Sequence, residues 1–169
     1  MKNTKNGLVN IIIDLIFDAP TRSHFAWFSS NGSTGADQLV MVNDHGLLTQ
    51  GHSNIVYKND QSVYCQSGTM PCGNQTYATY NTWCHVGAVR SDDSTSYYVN
   101  GNLLCAMPNG NINSTNPFSG LKLGCSMYSQ PDRFFFGQID DIGIWNRALD
   151  SCEVKDLYNA ELSCATSIN

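Results

Sequence analysis

Residues 133–158 decide the fold, and they read RFFFGQIDDIGIWNRALDSCEVKDLY. Residues 138–146 are rich in β-branched and aromatic side chains and follow Gly137, a pattern that predicts a strand. The two faces of this strand do not separate cleanly, because Asp140 and Asp141 place one carboxylate on each face. The pattern indicates either a strand whose surroundings change along its length or a bulge near the two aspartates.

A helix is predicted directly after this strand. Asp150 can accept hydrogen bonds from the first free backbone N–H groups, and Glu153, three residues later, completes a capping box. Apolar residues then recur at helical spacing, at Val154, Leu157, Tyr158 and Leu162. A helix of about ten residues is marginal by itself, so we expect it to pack on a larger body.

Composition excludes several classes of protein. Hydrophobic residues make up 41% of the 169 positions and charged residues 14%, which is typical of a folded chain and predicts a single domain over residues 1–169. The formal net charge is −5 and the few Lys and Arg residues are scattered, which argues against a nucleic-acid surface. No segment is long and apolar enough to predict a membrane span.

The N-terminal region has two interpretations. Lys2 and Lys5 precede an apolar run at residues 8–17, which resembles a signal peptide weakly. Asn10 and Asp14 interrupt the run and no Ala-x-Ala site follows, so the pattern favours a strand buried on both faces.

Seven cysteines are many for a cytosolic chain of this length, and they favour a secreted or cell-surface protein with disulfides. The odd number leaves at least one thiol outside any intramolecular pair. Cys65–Cys72 and Cys152–Cys164 are the favoured pairs, because each would close a short local loop. Buried thiols in strands are the alternative for Cys84 and Cys105.

The middle of the chain alternates short apolar runs with turns rich in Asn, Gly and Asp. Asn100-Gly101 separates two apolar runs, which is a strong signal for a β-hairpin. Many short strands followed by one terminal helix predict an all-β fold, an antiparallel β-sandwich with one short C-terminal helix.

Four segments carry a resemblance to a known family. In chain order, these segments are Trp83-Cys-His-Val86, Tyr98-Val-Asn-Gly101, Leu121-Lys-Leu-Gly124 and the FxGxIDDIxIWNRAL run from Phe135. Together they resemble laminin-G-like, concanavalin A-like lectin/glucanase domains, including the pentraxin-related modules of secreted bacterial proteins. The resemblance implies a concanavalin A-like jelly roll. Family members carry a longer N-terminal section, so it also implies a domain trimmed at its N-terminus or an edge covered by a partner.

Catalysis is not expected. The glucanases of this architecture carry a Glu-x-Asp-x-x-Glu strand, which is absent, and both glutamates, Glu153 and Glu161, fall in the predicted helix region. Asp140 and Asp141 are neighbours whose side chains diverge on a strand, so we interpret them as structural. His85 matches a family position that is more often a packing residue than a catalyst.

Calcium is the metal that the sequence allows. Hard cations bind oxygen ligands from loops, and the weak candidates are Asp37, Asn43 and Asp44. The acidic run by which pentraxins ligate calcium after the LKLG strand is replaced here by Cys125-Ser-Met-Tyr-Ser129. The alternative is that the candidate residues are solvated turn residues.

The candidate ligand-binding residues are aromatic and planar polar side chains in predicted loops. Trp27, Trp83 and Trp145 all match family core positions, which leaves tyrosines to provide a ring for a sugar. The favoured cluster lies just before the terminal strand and consists of Tyr128, Gln130, Asp132 and Arg133. Tyr57 is a further candidate outside this cluster. Ordinary surface tyrosines are the alternative interpretation.

Three functions are consistent with these patterns. The favoured one is a non-catalytic binding or adhesion module that recognises a carbohydrate or a protein surface. A diverged glycan-active enzyme of the same fold is the second. The third is a structural assembly domain, such as a homo-oligomer joined through an exposed sheet edge.

Overall fold

A computed structural model describes residues 21–43, 53–67, 70–109, 121–127 and 131–165. These residues form twelve strands and one helix. In chain order the elements are β1 (Arg22–Ser30), β2 (Gln38–Asn43), β3 (Ser53–Tyr57), β4 (Ser62–Ser67), β5 (Met70–Tyr77), β6 (Cys84–Arg90), β7 (Ser94–Val99), β8 (Asn102–Pro108), β9 (Leu121–Leu123), β10 (Ser126–Met127), β11 (Pro131–Asp132), β12 (Gly137–Trp145) and α1 (Ser151–Ala165).

Two five-stranded antiparallel sheets form a sandwich, which confirms the predicted fold class. One sheet has the strand order β12-β1-β6-β7-β8 and carries α1 on its outer face; we call it the helix-side sheet. The other, the far sheet, has the order β5-β4-β3-β2-β9. The short strands β10 and β11 pair with each other outside both sheets.

The core between the sheets is built from alternating side chains of β1, β6 and the far-sheet strands. On β1, Ala26 and Phe28 point inward, whereas Phe25 and Trp27 belong to the outer face. All residues of β1 and β6 are buried, because the far sheet covers one face and α1 covers part of the other. This explains why β1 lacks the polar alternation of a half-exposed strand.

The helix begins where the capping box predicted. Asp150 Oδ1 accepts the N–H groups of Cys152 and Glu153 at 2.8 Å each, and Glu153 Oε2 accepts the Asp150 N–H at 2.9 Å. The helix is 15 residues long, longer than the ten or so expected. Val154 is fully buried and packs with Phe25 and other residues of the helix-side sheet.

A β-bulge lies at the two adjacent aspartates, which decides between the two interpretations of the terminal strand. Phe25 pairs with Gly143 and Trp27 pairs with Asp140, so two residues of β12 lie opposite one residue of β1. Asp141 has a φ of 47°, in the left-handed region that bulges use. The bulge is on an edge strand, where it disrupts the row of groups that could pair with another chain.

The disulfide pairs predicted from loop length are wrong. Cys72 of β5 is bonded to Cys105 of β8, so the bridge joins the edge strands of the two sheets. Cys65 is a buried thiol, although it lies directly across from Cys72 in the β4–β5 pair. Cys152 is an exposed thiol, and Cys164 lies twelve residues along the same helix, about 18 Å away. That separation is far beyond the reach of a disulfide.

Two further expectations concern the chain ends and the membrane. The predicted strand at residues 8–17 lies outside the described residues. Within the described part, no helix has the length and apolar character to cross a bilayer.

Candidate functional site

The candidate site lies where β1 ends and where β6 and β12 begin. Ser29 pairs with Gln138, and the Asn31 N–H donates to the Phe136 carbonyl at 2.9 Å, so the β1–β12 pairing continues past the strand ends. On the other side of β1, the Asn81 N–H donates to the Ser30 carbonyl at 2.7 Å. Three chain segments therefore lie side by side at this end of the helix-side sheet.

Alternation along the strands assigns side chains to the outer face. Phe135 and Ile139 pack against the core, so Phe136, Gln138 and Asp140, which have the other parity, face outward. Trp83 has the parity of His85, whose ring lies 5.9 Å from that of Tyr158 on α1. The exposed outward residues form what we call the aromatic–polar surface: Asn31, Trp83, Phe136, Gln138 and Asp140.

The two rings of this surface are open to solvent. Trp83 is 42% exposed and Phe136 is 52% exposed. Trp83 directly precedes β6 and Phe136 directly precedes β12. Because β1 lies between these two strands, the lines of their backbones are two strand spacings apart, about 10 Å. At the same end of the sheet, Asn31 and Gln138 provide exposed amide groups, and Asp140, two residues further along β12, provides an exposed carboxylate.

The surface ends at the helix, where aromatic rings close the outer face. Trp27 is buried and stacks on Tyr158 with 5.6 Å between ring centroids. The His85 ring is tilted against Trp27 at 5.1 Å. Burial lowers the pKa of His85 to about 4, so its ring is neutral near pH 7. The site therefore has an uncharged aromatic wall on the helix side.

Phe136 stands on a tightly held loop. The Phe136 N–H donates to Gln38 Oε1 at 2.7 Å, and the Phe135 N–H donates to the Gly124 carbonyl at 2.8 Å. The Phe135 ring packs edge-on against Phe28 in the core, with centroids 5.6 Å apart. Because neighbouring residues alternate, anchoring Phe135 in the core directs Phe136 toward solvent.

Asp140 is held by local structure rather than by a second acid. Its Oδ1 accepts the Asp141 N–H at 3.0 Å, which supports the backbone of the bulge. Across β1 and β6, the residues in its row are Trp27 and His85. Hydrolysis of a glycosidic bond by paired acids needs two carboxyl groups flanking the bond. In this row of the described sheet, the neighbours of Asp140 are aromatic rings.

The predicted cluster before the terminal strand is described only in part. Tyr128 and Gln130 lie outside the described residues, and for Asp132 only its backbone in β11 is described. Arg133 is exposed and has a φ of 50°, and its carbonyl accepts the Leu39 N–H at 3.0 Å. Arg133 therefore begins the loop that carries Phe136, and the rest of the cluster stays a prediction.

The prediction that Tyr57 binds the ligand is wrong, because Tyr57 is a core residue. Its side chain has no exposed surface, and its hydroxyl donates to the Ala78 carbonyl at 2.5 Å. Burial, with a smaller effect of Tyr80, raises the pKa of Tyr57 to about 12. The ring is unavailable to a ligand in this structure.

The calcium candidates do not come together in the described residues. Asp37 is exposed just before β2, Asn43 is the last residue of β2, and Asp44 lies outside the described part. Among the residues that the structure describes, no group of three or more His, Cys, Asp or Glu is placed to hold a metal ion. Calcium binding through residues beyond this part stays a prediction.

None of the five residues of the aromatic–polar surface was among the ligand-binding candidates from the sequence, and its two rings show why. Trp83 was assigned to packing from its family position, and that assignment is wrong because the ring is exposed. Phe136 received no role, although residues 134–136 are three consecutive phenylalanines. Neighbours on an extended chain alternate in direction, so three consecutive rings cannot all enter one core. That signal indicates an exposed phenylalanine here.

The sequence matches a laminin-G family model, described as the concanavalin A-like lectin/glucanases superfamily, over residues 16–155. Because this match covers most of the chain, the protein belongs to that superfamily. The resemblance inferred from the four sequence segments is thus confirmed. No curated protein matches the sequence at a significant level.

Several solved structures share the fold. A Trypanosoma rangeli sialidase mutant displaying trans-sialidase activity matches with a TM-score of 0.69 and 16% identity, over 86% of this chain and 24% of its own. The heptameric SAP-like pentraxin from Limulus polyphemus matches with a TM-score of 0.61 and 14% identity, over 83% of this chain and 70% of its own.

A third structure is domain 4 of AbnA, an extracellular GH43 arabinanase from Geobacillus stearothermophilus, in complex with arabinotriose. It matches with a TM-score of 0.61 and 18% identity, over 82% of this chain and 66% of its own. The chain spans about a quarter of the sialidase, with 24% of that chain covered. At these identities the similarities establish the fold alone.

Proposed function

We propose that the protein is a carbohydrate-binding module that holds a glycan on the aromatic–polar surface without cleaving it. The observation that carries the proposal is the exposure of Trp83 and Phe136 at the same end of the sheet as the exposed amides of Asn31 and Gln138. Exposed aromatic rings that lie near one another at one end of a sheet support a binding surface there.

The chemistry of the surface suits a sugar. Aromatic rings present broad apolar faces on which the C–H groups of a sugar ring can stack. Side-chain amides both donate and accept hydrogen bonds, and a carboxylate accepts them, so Gln138 and Asp140 match the hydroxyl groups at a sugar's rim. The arabinanase domain of similar fold was solved in complex with arabinotriose, which supports an oligosaccharide as the ligand.

The absence of cleavage is part of the proposal. Asp140 lies across from Trp27 and His85, and the Glu153 carboxylate is engaged in a 2.6 Å ion pair with Arg147 near the start of α1. We expect the bound glycan to be released intact. The disulfide between β5 and β8 suits an oxidising environment, so we place this activity outside the cell or at its surface.

The test begins with a glycan array on the full chain, followed by calorimetric titration of the best oligosaccharide. Trp83→Ala and Phe136→Ala should each weaken binding by roughly ten-fold or more, the size expected for removing a central aromatic anchor. Leu103→Ala is the matched control: Leu103 is 58% exposed but lies on β8, at the other edge of the sheet. The Leu103→Ala variant should bind the oligosaccharide with wild-type affinity.

The same experiment separates the alternatives. An array that stays blank at high protein concentration, with and without calcium, would overturn the proposal, and capture of a protein through Trp83 would then favour a protein-binding surface. If the bound oligosaccharide is hydrolysed and Asp140→Asn abolishes this hydrolysis, the protein is an enzyme and the proposal of a binding module is wrong.

A further inference from the structure

Gln38 is a fully buried polar residue at the end of the far sheet nearest the site. Its Oε1 accepts the Phe136 N–H at 2.7 Å, and its Nε2 donates to the Gly32 carbonyl at 2.8 Å. An N–H can only donate and a carbonyl can only accept, so these partners determine which way the amide group points. Gln38 therefore joins two loops that leave neighbouring strands of the opposite sheet.

Both of these loops border the aromatic–polar surface. Gly32 follows Asn31, and a Cβ on Gly32 would lie 3.9 Å from Phe136 Cε1, so the Phe136 ring lies beside this loop. Ser30 Oγ also bonds Gly32, donating to its carbonyl at 3.1 Å and accepting its N–H at 3.2 Å. Ser30 holds the Gly32 loop to β1, whereas Gln38 ties it to the backbone of Phe136.

We propose that Gln38 is a positioning residue for the glycan surface: its buried side-chain amide sets the distance and orientation between the Asn31 loop and the Phe136 ring. The inference rests on the proposed carbohydrate-binding function. Gln38 has no exposed surface and cannot touch the ligand, so it acts through Phe136 and Gly32. Preorganised aromatic groups bind more tightly because less ordering is required when the ligand arrives.

The donor and the acceptor are both necessary for this role. Leucine has neither. It would leave the partly buried Phe136 N–H without this acceptor, and the Gly32 carbonyl would keep only its bond from Ser30. An ionised glutamate accepts from Phe136 but cannot donate to Gly32. A protonated glutamate provides one donor and one acceptor, as glutamine does.

The first arm of the test measures glycan affinity with Gln38→Leu and Gln38→Glu. Gln38→Leu should bind roughly ten-fold more weakly than the wild type at any pH between 5 and 8. Gln38→Glu should bind weakly at pH 8. At pH 5 its affinity, expressed relative to that of the wild type at the same pH, should be several-fold higher, because burial favours the protonated carboxyl group. Wild-type affinity at both pH values throughout the Gln38 series would overturn the inference.

Thr95→Val is the matched control for a purely structural effect. The Thr95 hydroxyl is buried on β7 and donates to Asn109 Oδ1 at 2.7 Å, at the opposite end of the sandwich. Its loss should lower the unfolding midpoint without changing glycan affinity. An equal loss of affinity in Thr95→Val would reduce Gln38 to a general stabilising residue and overturn its positioning role.

The second arm needs no glycan, and so it separates this inference from the proposed function. A fluorinated phenylalanine at position 136 should give one narrow fluorine NMR signal with Gln38 present. The signal should broaden or split in Gln38→Leu, provided that the variant keeps a cooperative unfolding transition. An unchanged signal in the folded variant would overturn the inference, whereas a blank glycan array would overturn only the proposed function.

Discussion

Gly87 lies on β6 under the ring of Phe25, one of the largest buried side chains on the outer face of the helix-side sheet. A Cβ at this position would overlap three atoms of that ring. The ring is held from both sides, stacked on His85 at 5.2 Å and edge-on to Trp145 at 6.1 Å. The absence of a side chain at Gly87 therefore allows Phe25 to lie against the sheet.

Gly87→Ala should lower the free energy of unfolding by about 1–3 kcal/mol, the usual cost of overpacking a core. Urea unfolding followed by tryptophan fluorescence measures the change. Gly35→Ala is the control: it has a φ of 80° but nothing within 4 Å of the added atom, so it should show only backbone strain, about 1 kcal/mol. A smaller loss for Gly87 than for Gly35 would contradict the role given to the Phe25 contact.

At the scale of elements, the start of α1 is joined to β1 as well as being capped. Ser23 Oγ donates to the Arg147 carbonyl and accepts the Leu149 N–H, both at 2.9 Å. Arg147 in turn pairs with Glu153 and, with the Asp150 N–H, lowers the pKa of that carboxyl group to about 2. These bonds fix the direction in which the helix leaves β12 and so place Tyr158 over Trp27.

Asp150→Ala should lower the free energy of unfolding by about 1 kcal/mol, because it removes the cap from two backbone N–H groups. Thermal unfolding measured by circular dichroism tests this change. Asp156→Ala, an exposed aspartate inside the same helix, should change stability by no more than about 0.5 kcal/mol. An equal change in stability in the two variants would contradict the capping role of Asp150.

Local chemistry explains which elements the sequence predicted. The capping box and the bulge near Asp141 depend on neighbouring residues, and both are present. The Asn100-Gly101 hairpin is present for the same reason, with φ values of 49° and 71° that these residues tolerate. Homo-oligomer formation through a sheet edge depends on another chain, and it stays a prediction.

At the scale of the molecule, two buried histidines connect stability to pH. Burial lowers the pKa of His24 to about 3, with a further effect of Arg22, and lowers that of His85 to about 4. In the unfolded chain both titrate near 6.5. At pH values between the low pKa values of the folded state and the unfolded-state value near 6.5, the unfolded state binds more protons than the folded state. Stability therefore falls as the pH falls below about 6.5.

The free energy of unfolding should therefore decrease between pH 7 and pH 5 by up to about 1.4 kcal/mol per pH unit for each histidine. Urea unfolding at several pH values in this window measures the slope. His85→Gln removes one of the two groups and should reduce the slope without reversing its sign. Stability that stays constant or rises toward pH 5 would contradict the prediction.

The features that the sequence could not predict depend on the whole molecule. Cys72 has two cysteines within reach, Cys65 on the next strand and Cys105 on the opposite sheet, and loop length does not reveal that the sheets meet there. Gln38 resembles any polar residue at a strand start, because its partners Gly32 and Phe136 are distant from each other in the chain. Trp83 is apolar, yet the end of the sandwich leaves it uncovered.

The Cys72–Cys105 bond makes the two sides of the sandwich mechanically unequal. A force that separates the sheets acts against a covalent bond where β5 meets β8. On the opposite side, near β9 and β12, the described residues resist it through weaker links, such as the hydrogen bond from Phe135 to Gly124. The sheets would then rotate about the bonded side, and the first contacts to part would be those beneath Phe136. Separating the sheets in this way would thus loosen the proposed glycan surface before the bonded side parts.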